Sequence, residues 1–185
     1  MIRVQREAFD IGAEIAKLKA NRTDFGAIVT FTGTVRGQDG AVEEMTLEHY
    51  PAMTERELSR IEAEANARWP LQASLIVHRY GALKPGDNIV LVMTASEHRD
   101  AAFDAAKFLM DYLKTSAPFW KRESGPGGSH WVEASQSDTQ AAARWRKTKQ
   151  CCRVIDGQQR SGHQCQGKAG LRPALGKRRQ THPCR

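Results

Sequence analysis

The chain has 185 residues, a formal net charge of +7 and 40% hydrophobic residues, which are ordinary values for a globular protein with one substantial core. No apolar run approaches the roughly 20 residues that span a bilayer. The start, MIRVQREAFD, has no apolar stretch ahead of a small-residue cleavage site. These features exclude a helical membrane protein and favour the cytoplasm over secretion.

In chain order, Asp10 is placed to cap a first helix with Ile11, Ile15 and Leu18 on one face. Ala27 to Arg36 alternates as a β-strand, and Gly37-Gln38-Asp39-Gly40 reads as a turn. Val42 to His49 then reads as the returning strand of a hairpin. Thr54 and Glu57 form a capping box for a second helix, with Leu58, Ile61, Ala65 and Trp69 facing inward and Pro70 closing it. Two strands, Ala73 to Arg79 and Asn88 to Ser96, follow. The second holds the continuous apolar run Ile89 to Met93, which predicts burial on both faces. A third helix is expected from Arg99 to Ser116, with Phe103, Ala106, Met110 and Leu113 on its core face; Pro118 prevents its extension. Phe119 to Glu123 is extended, Gly125-Pro126-Gly127-Gly128 turns the chain, Trp131 to Glu133 returns it, and a short helix spans Asp138 to Trp145. This order predicts an α+β fold with a largely antiparallel sheet over residues 1–145.

The composition changes abruptly after that. Residues 146–185 hold eleven Lys/Arg against a single acid, Asp156, and contain all four cysteines but no Phe, Tyr or Trp. The first 145 residues hold 17 basic and 20 acidic side chains and no cysteine. A basic segment without aromatics buries too little apolar surface to offset its ordering entropy, so 146–185 is expected to be a disordered tail. The break in composition fits an out-of-frame or read-through extension, with a basic binding tail as the alternative. The pairs His163/Cys165 and His182/Cys184 match no standard zinc spacing. A cysteine-free body has neither a disulfide framework nor a thiol nucleophile.

The sequence contains no GxGxxG, GxxxxGK[ST], GxSxG or HExxH, so a nucleotide cradle, a serine hydrolase site and a zinc protease site are not indicated. What stands out is a set of cations. His98-Arg99 opens the third helix, where the dipole already favours anions. Lys114 sits in its last turn, and Lys121-Arg122 follow two aromatics, Phe119-Trp120, that need cover. Arg36 closes a strand before a glycine turn. A local reading makes each a solvated surface charge. Their common reading is a site for an anionic ligand. A basic tail alone would suggest nucleic acid, but a body richer in acids than bases argues against it.

The string Thr30-Phe31-Thr32-Gly33-Thr34-Val35-Arg36 resembles the large subunit of molybdopterin synthase. So do Leu47-Glu48-His49-Tyr50-Pro51, Ser96-Glu97-His98-Arg99, Met110-Asp111-Tyr112-Leu113-Lys114 and Ala117-Pro118-Phe119-Trp120-Lys121-Arg122-Glu123. The motifs run in order across residues 1–145. The resemblance implies an α/β-hammerhead fold, a homodimer, and one small ubiquitin-like sulfur-carrier subunit docked on each protomer. It implies conversion of cyclic pyranopterin monophosphate to molybdopterin, with sulfur arriving as a thiocarboxylate on the small subunit's C-terminal glycine. No cofactor or metal is implied. Carried over by position, Lys114 and Lys121 are the expected catalytic lysines. Arg36, His98, Arg99 and Arg122 are expected to contact substrate, with Phe31 as a pocket wall and Glu123 beside the second lysine. The implied pocket is shared between protomers, so His98 and Arg99 can serve the partner's lysines. Ser135 stands where the resemblance implies arginine and Ala52 where it implies glycine.

Overall fold

A computed structural model describes residues 1–132 and 136–146. The expectations for residues 133–135 and for the tail, with its cysteines and His-x-Cys pairs, therefore fall outside the described residues.

Two four-stranded sheets form the body. The first has the order β1-β4-β6-β2, from strands β1 (Ile2–Gln5), β2 (Ala27–Thr34), β4 (Leu71–Arg79) and β6 (Asn88–Ser96). Only β1 with β4 is parallel; the other pairings are antiparallel, as expected. The run in β6 is buried on both faces. Val90 and Val92 point into one core with Ile76 of β4, Leu58 and Ile61 of helix α2 (Pro51–Arg68), and Phe108 and Leu109 of helix α3 (Arg99–Thr115). Leu91 and Met93 point the other way, with Leu75, Val77 and Phe9, and are covered by Ile11, Ile15 and Leu18 of helix α1 (Ile11–Lys19). The Asp10 cap forms as expected: its Oδ1 accepts from the Ala13 amide at 2.6 Å.

The second sheet has the order β5-β3-β7-β8, from β3 (Glu44–His49), β5 (Gly81–Leu83), β7 (Phe119–Gly125) and β8 (Gly128–Val132). Val35, Val42, Met45, Leu47 and Leu83 form its own small core. The β7–β8 hairpin turns where the glycines predict. Gly125 has to be glycine, because any side chain there would run into the Ala41 carbonyl. Helix α4 (Gln136–Arg146) packs on α3 and seats Trp145 edge-on to Trp69 and Phe108.

Three local expectations are corrected. β2 and β3 do not form a hairpin: β2 pairs with β6, and β3 pairs with β5 and β7. The register of β2 shifts at Gly33/Thr34, and the Val35 amide bonds to Asp87 instead of continuing a ladder toward β3. Gln38 and Asp39 at φ 47° and 55° then swing the chain into the other sheet. Helix α2 starts three residues before the capping box, with Pro51 in its first turn, where the missing N–H costs nothing. Thr54 is fully buried inside it and donates to the Pro118 carbonyl at 3.4 Å. On α3 the buried stripe is Ala102, Ala105, Ala106, Phe108, Leu109, Tyr112 and Leu113, and Phe103 is 61% exposed. The small alanines let α3 lie close on β6, where Thr94 donates to the Ala102 carbonyl at 2.7 Å. Strands β1 and β5 are too short to stand out by alternation.

Candidate active site

The end of α3, the end of β4 and the start of β7 meet at one cavity of about 340 Å³, in the gap between the two sheets. Leu113 is buried in the α3 core, so Lys114 emerges at the cavity rim in the last helical turn, where the dipole favours a cation. The chain then passes Pro118, and the Phe119 ring stacks on His78 with centroids 3.7 Å apart and planes at 15°. His49 packs on Phe119 at 5.9 Å. This stack clamps the start of β7 between the sheets.

Strand periodicity does the rest. Phe119, Lys121 and Glu123 lie opposite His49, Leu47 and Met45, on the buried side of the second sheet. Lys121 and Glu123 both line the cavity. Glu123 is only 6% exposed, and a buried carboxylate needs a partner. Lys121 Nζ supplies it at 2.6 Å, with His130 Nε2 at 3.8 Å. Arg36 reaches the same cavity from just beyond β2 and has no partner among the described residues. Lys114 pairs with Asp138 of α4 at 3.5 Å. Three cations thus surround one cavity that contains one carboxylate, already engaged. Such a set binds an anion bearing more than one charge and can stabilise a developing oxyanion. Among the described residues, no group of three or more His, Cys, Asp or Glu could hold a metal ion.

The remaining expected site residues are not here. Residues 98 and 99 lie at the opposite end of α3, about 22 Å from Lys114 at 1.5 Å per residue. Their side chains are 81% and 83% exposed. Phe31 sits on β2, 40% exposed and away from the cavity. Arg122 is turned to the opposite face of β7 by strand alternation, over the Trp131 ring at 5.8 Å. The expected set therefore does not converge within one chain; Arg36, Lys114, Lys121 and Glu123 do.

A larger cavity of about 630 Å³ lies near β1 and α1, but its charges are spent on one another. Glu14 pairs with Arg3 at 2.5 Å and Lys17 at 3.1 Å, and the amino terminus pairs with Glu62.

His78 was not anticipated. It follows Leu75-Ile76-Val77 on a buried strand, and it lines the cavity. Burial lowers its pKa from the ordinary 6.5 to about 4; the Arg79 carbonyl opposes that shift and nearby His49 adds to it. A base held neutral in this way contributes stability that is complete above pH 6.5 and is lost as the pH falls from 6.5 through about 4. The full loss is on the order of 3 kcal/mol at 1.36 kcal/mol per pK unit. Urea midpoints measured above pH 6.5 and near pH 4 should therefore fall further for wild type than for His78→Gln. Parallel declines would place the titration elsewhere.

Comparison with known proteins places the chain in a family. A family model described as "MoaE protein" matches residues 4–116. The molybdopterin synthase catalytic subunit of Mesorhizobium japonicum is 55% identical over 151 residues, covering 80% of this chain and 95% of that one. The structure of a molybdopterin biosynthesis MoaE protein from Burkholderia ambifaria superimposes with a TM-score of 0.68 at 51% identity, covering 79% of this chain and 97% of that chain. Molybdopterin synthase from Staphylococcus aureus gives a TM-score of 0.64 at 33% identity, over 71% and 96% of the two chains.

Proposed function

The chain belongs to the MoaE protein family, and from that premise we infer that it is the catalytic subunit of molybdopterin synthase, a sulfurtransferase of molybdenum-cofactor biosynthesis. The observation that carries the reading is the convergence of Arg36, Lys114 and Lys121 on one cavity.

In this proposal the substrate is cyclic pyranopterin monophosphate. The sulfur donor is the C-terminal thiocarboxylate of a small ubiquitin-like carrier subunit. Both are anions, and bringing them together in a semi-enclosed site costs Coulomb energy. Arg36 holds the phosphate. Lys114 and Lys121 offset the repulsion and stabilise the oxyanion formed when the carrier's thioester to the substrate is hydrolysed. Glu123 fixes the position of Lys121 through their 2.6 Å ion pair. The sulfur comes from the partner, so a body without cysteine suffices.

Two such chains form a homodimer, each with one carrier bound, giving a heterotetramer in the cytoplasm. In that assembly Phe31, His98 and Arg99 of one protomer complete the cavity of the other, which accounts for cations left exposed at the far end of α3. Arg122, turned away on β7, is given no substrate contact. Among the described residues, no helix is long and apolar enough to cross a membrane.

Purified protein mixed with thiocarboxylated carrier and cyclic pyranopterin monophosphate should form the dithiolene product; no product would overturn the reading. Arg36→Ala should raise the KM for the substrate, with kcat staying within about tenfold of wild type, because phosphate binding acts in ground and transition states alike. A collapsed kcat at unchanged KM would reassign Arg36 to the chemical step.

A further inference from the structure

The charged side chains of the cavity are mostly hydrogen-bond donors, and its acceptors besides Glu123 include the side-chain oxygens of Thr34 and Gln38 at its edge toward β2. Arg36, Lys114 and Lys121 can only donate, and the Glu123 carboxylate is taken by Lys121. These groups suit a phosphate, but they do not serve the organic part of a substrate that carries N–H groups. An N–H buried without an acceptor would weaken binding.

His78 supplies an acceptor that is buried and fixed in direction. Its Nδ1 lies 2.8 Å from the Arg79 carbonyl oxygen. A carbonyl can only accept, so Nδ1 carries the proton. Burial keeps the ring neutral near physiological pH. In a neutral imidazole with Nδ1 protonated, Nε2 is an unshared acceptor. Nε2 has no hydrogen bond among the described residues, and the residue forms part of the cavity wall. The Phe119 ring stacked at 3.7 Å fixes the plane of the imidazole, so the direction of that lone pair is set before any ligand arrives.

We propose that His78 is a substrate-binding residue whose Nε2 accepts a hydrogen bond from an N–H of the substrate's fused heterocycle, while Arg36 holds its phosphate. The assignment rests on the function proposed above. His78 thereby adds a directional contact at the heterocycle, which cations gripping only the phosphate do not supply.

The test uses the full-length chain, thiocarboxylated carrier and cyclic pyranopterin monophosphate. His78→Phe keeps a ring to stack on Phe119 and removes the acceptor. Its KM should rise about tenfold, the size expected when a buried donor loses its partner, with kcat within about threefold. His78→Gln restores an acceptor near the Nε2 position and should bring KM back to within about threefold of wild type. Melting temperatures of both variants identify any loss that comes only from packing.

A second readout requires no turnover. In wild-type protein with ¹⁵N-labelled histidine, the His78 Nε2 resonance should be that of an unprotonated nitrogen and should move when substrate alone is added. A protonated Nε2, a resonance that substrate does not move, or an unchanged KM in His78→Phe would overturn the assignment while leaving the proposed function standing. Wild-type protein that neither turns over nor responds to substrate would overturn both.

Discussion

Lys114→Ala will reduce dithiolene formation by about a hundredfold or more while leaving the melting temperature close to that of the wild type. The side chain is 55% exposed, and its ion pair with Asp138 at 3.5 Å is the kind of exposed contact that contributes little to stability. Its neighbour Leu113 anchors the helix end, so truncating residue 114 removes charge without opening the core. Single-turnover rates with saturating substrate and carrier measure the effect. A variant that keeps more than about a tenth of the wild-type rate has lost under roughly 1.4 kcal/mol of barrier lowering. That is too little for a group placed where two anions meet, and it would remove Lys114 from the catalytic set.

Ending the chain after residue 135 will lower the melting temperature by about 10 °C, whereas ending it after residue 146 will leave it unchanged. We propose that the functional domain closes with α4. Trp145 lies 5.7 Å from Trp69 and 5.5 Å from Phe108, ring centre to ring centre, and its Nε1 donates to Asp111 at 2.7 Å. Arg144 holds the same carboxylate at 2.9 Å, and Ala142 is buried beside them. Losing a tryptophan packed in this way costs about 3–5 kcal/mol. Residues 147–185 offer only Val154, Ile155, Leu171 and Leu175 as larger aliphatics, too little apolar area to add measurably to the core. Thermal melts of the two truncations beside the full chain check both halves. A 1–146 chain melting several degrees below full length would move the boundary.

The legible parts of the fold were those where one local rule acts alone. The Asp10 cap, the doubly buried β6 run and the glycine turn between β7 and β8 each needed no knowledge of distant contacts. The β2–β3 hairpin misled because strand, turn and strand are adjacent in sequence, while the pairing was decided by β6 and β7 far along the chain. Phe103 misled because two helical stripes of α3 are both apolar, and close approach to β6 selected the one rich in alanine. In the site, residue types pointed to a set of cations that included Arg36, Lys114 and Lys121, and the family resemblance added Glu123. The helix expected from Arg99 to Ser116 already put residues 98 and 99 a helix length away from Lys114, and the structure keeps them there. Phe119 stood out as an aromatic needing cover, but its stacking on His78 was not legible, since the two meet only when the second sheet is placed against the first.

The alternation along β7 also constrains how this stretch of chain can vary over evolutionary time. Lys121 and Glu123 face the cavity only because each lies an even number of residues from the clamped Phe119. Substitutions between the end of α3 and Glu123 change one side chain at a time, and their effects can be graded. Adding or losing one codon between Phe119 and Lys121 would instead present Trp120 and Arg122, or their shifted neighbours, to the cavity and send the lysine and glutamate outward. Drift in this segment is thereby confined to replacement, and its length is held fixed by the geometry of a pleated strand.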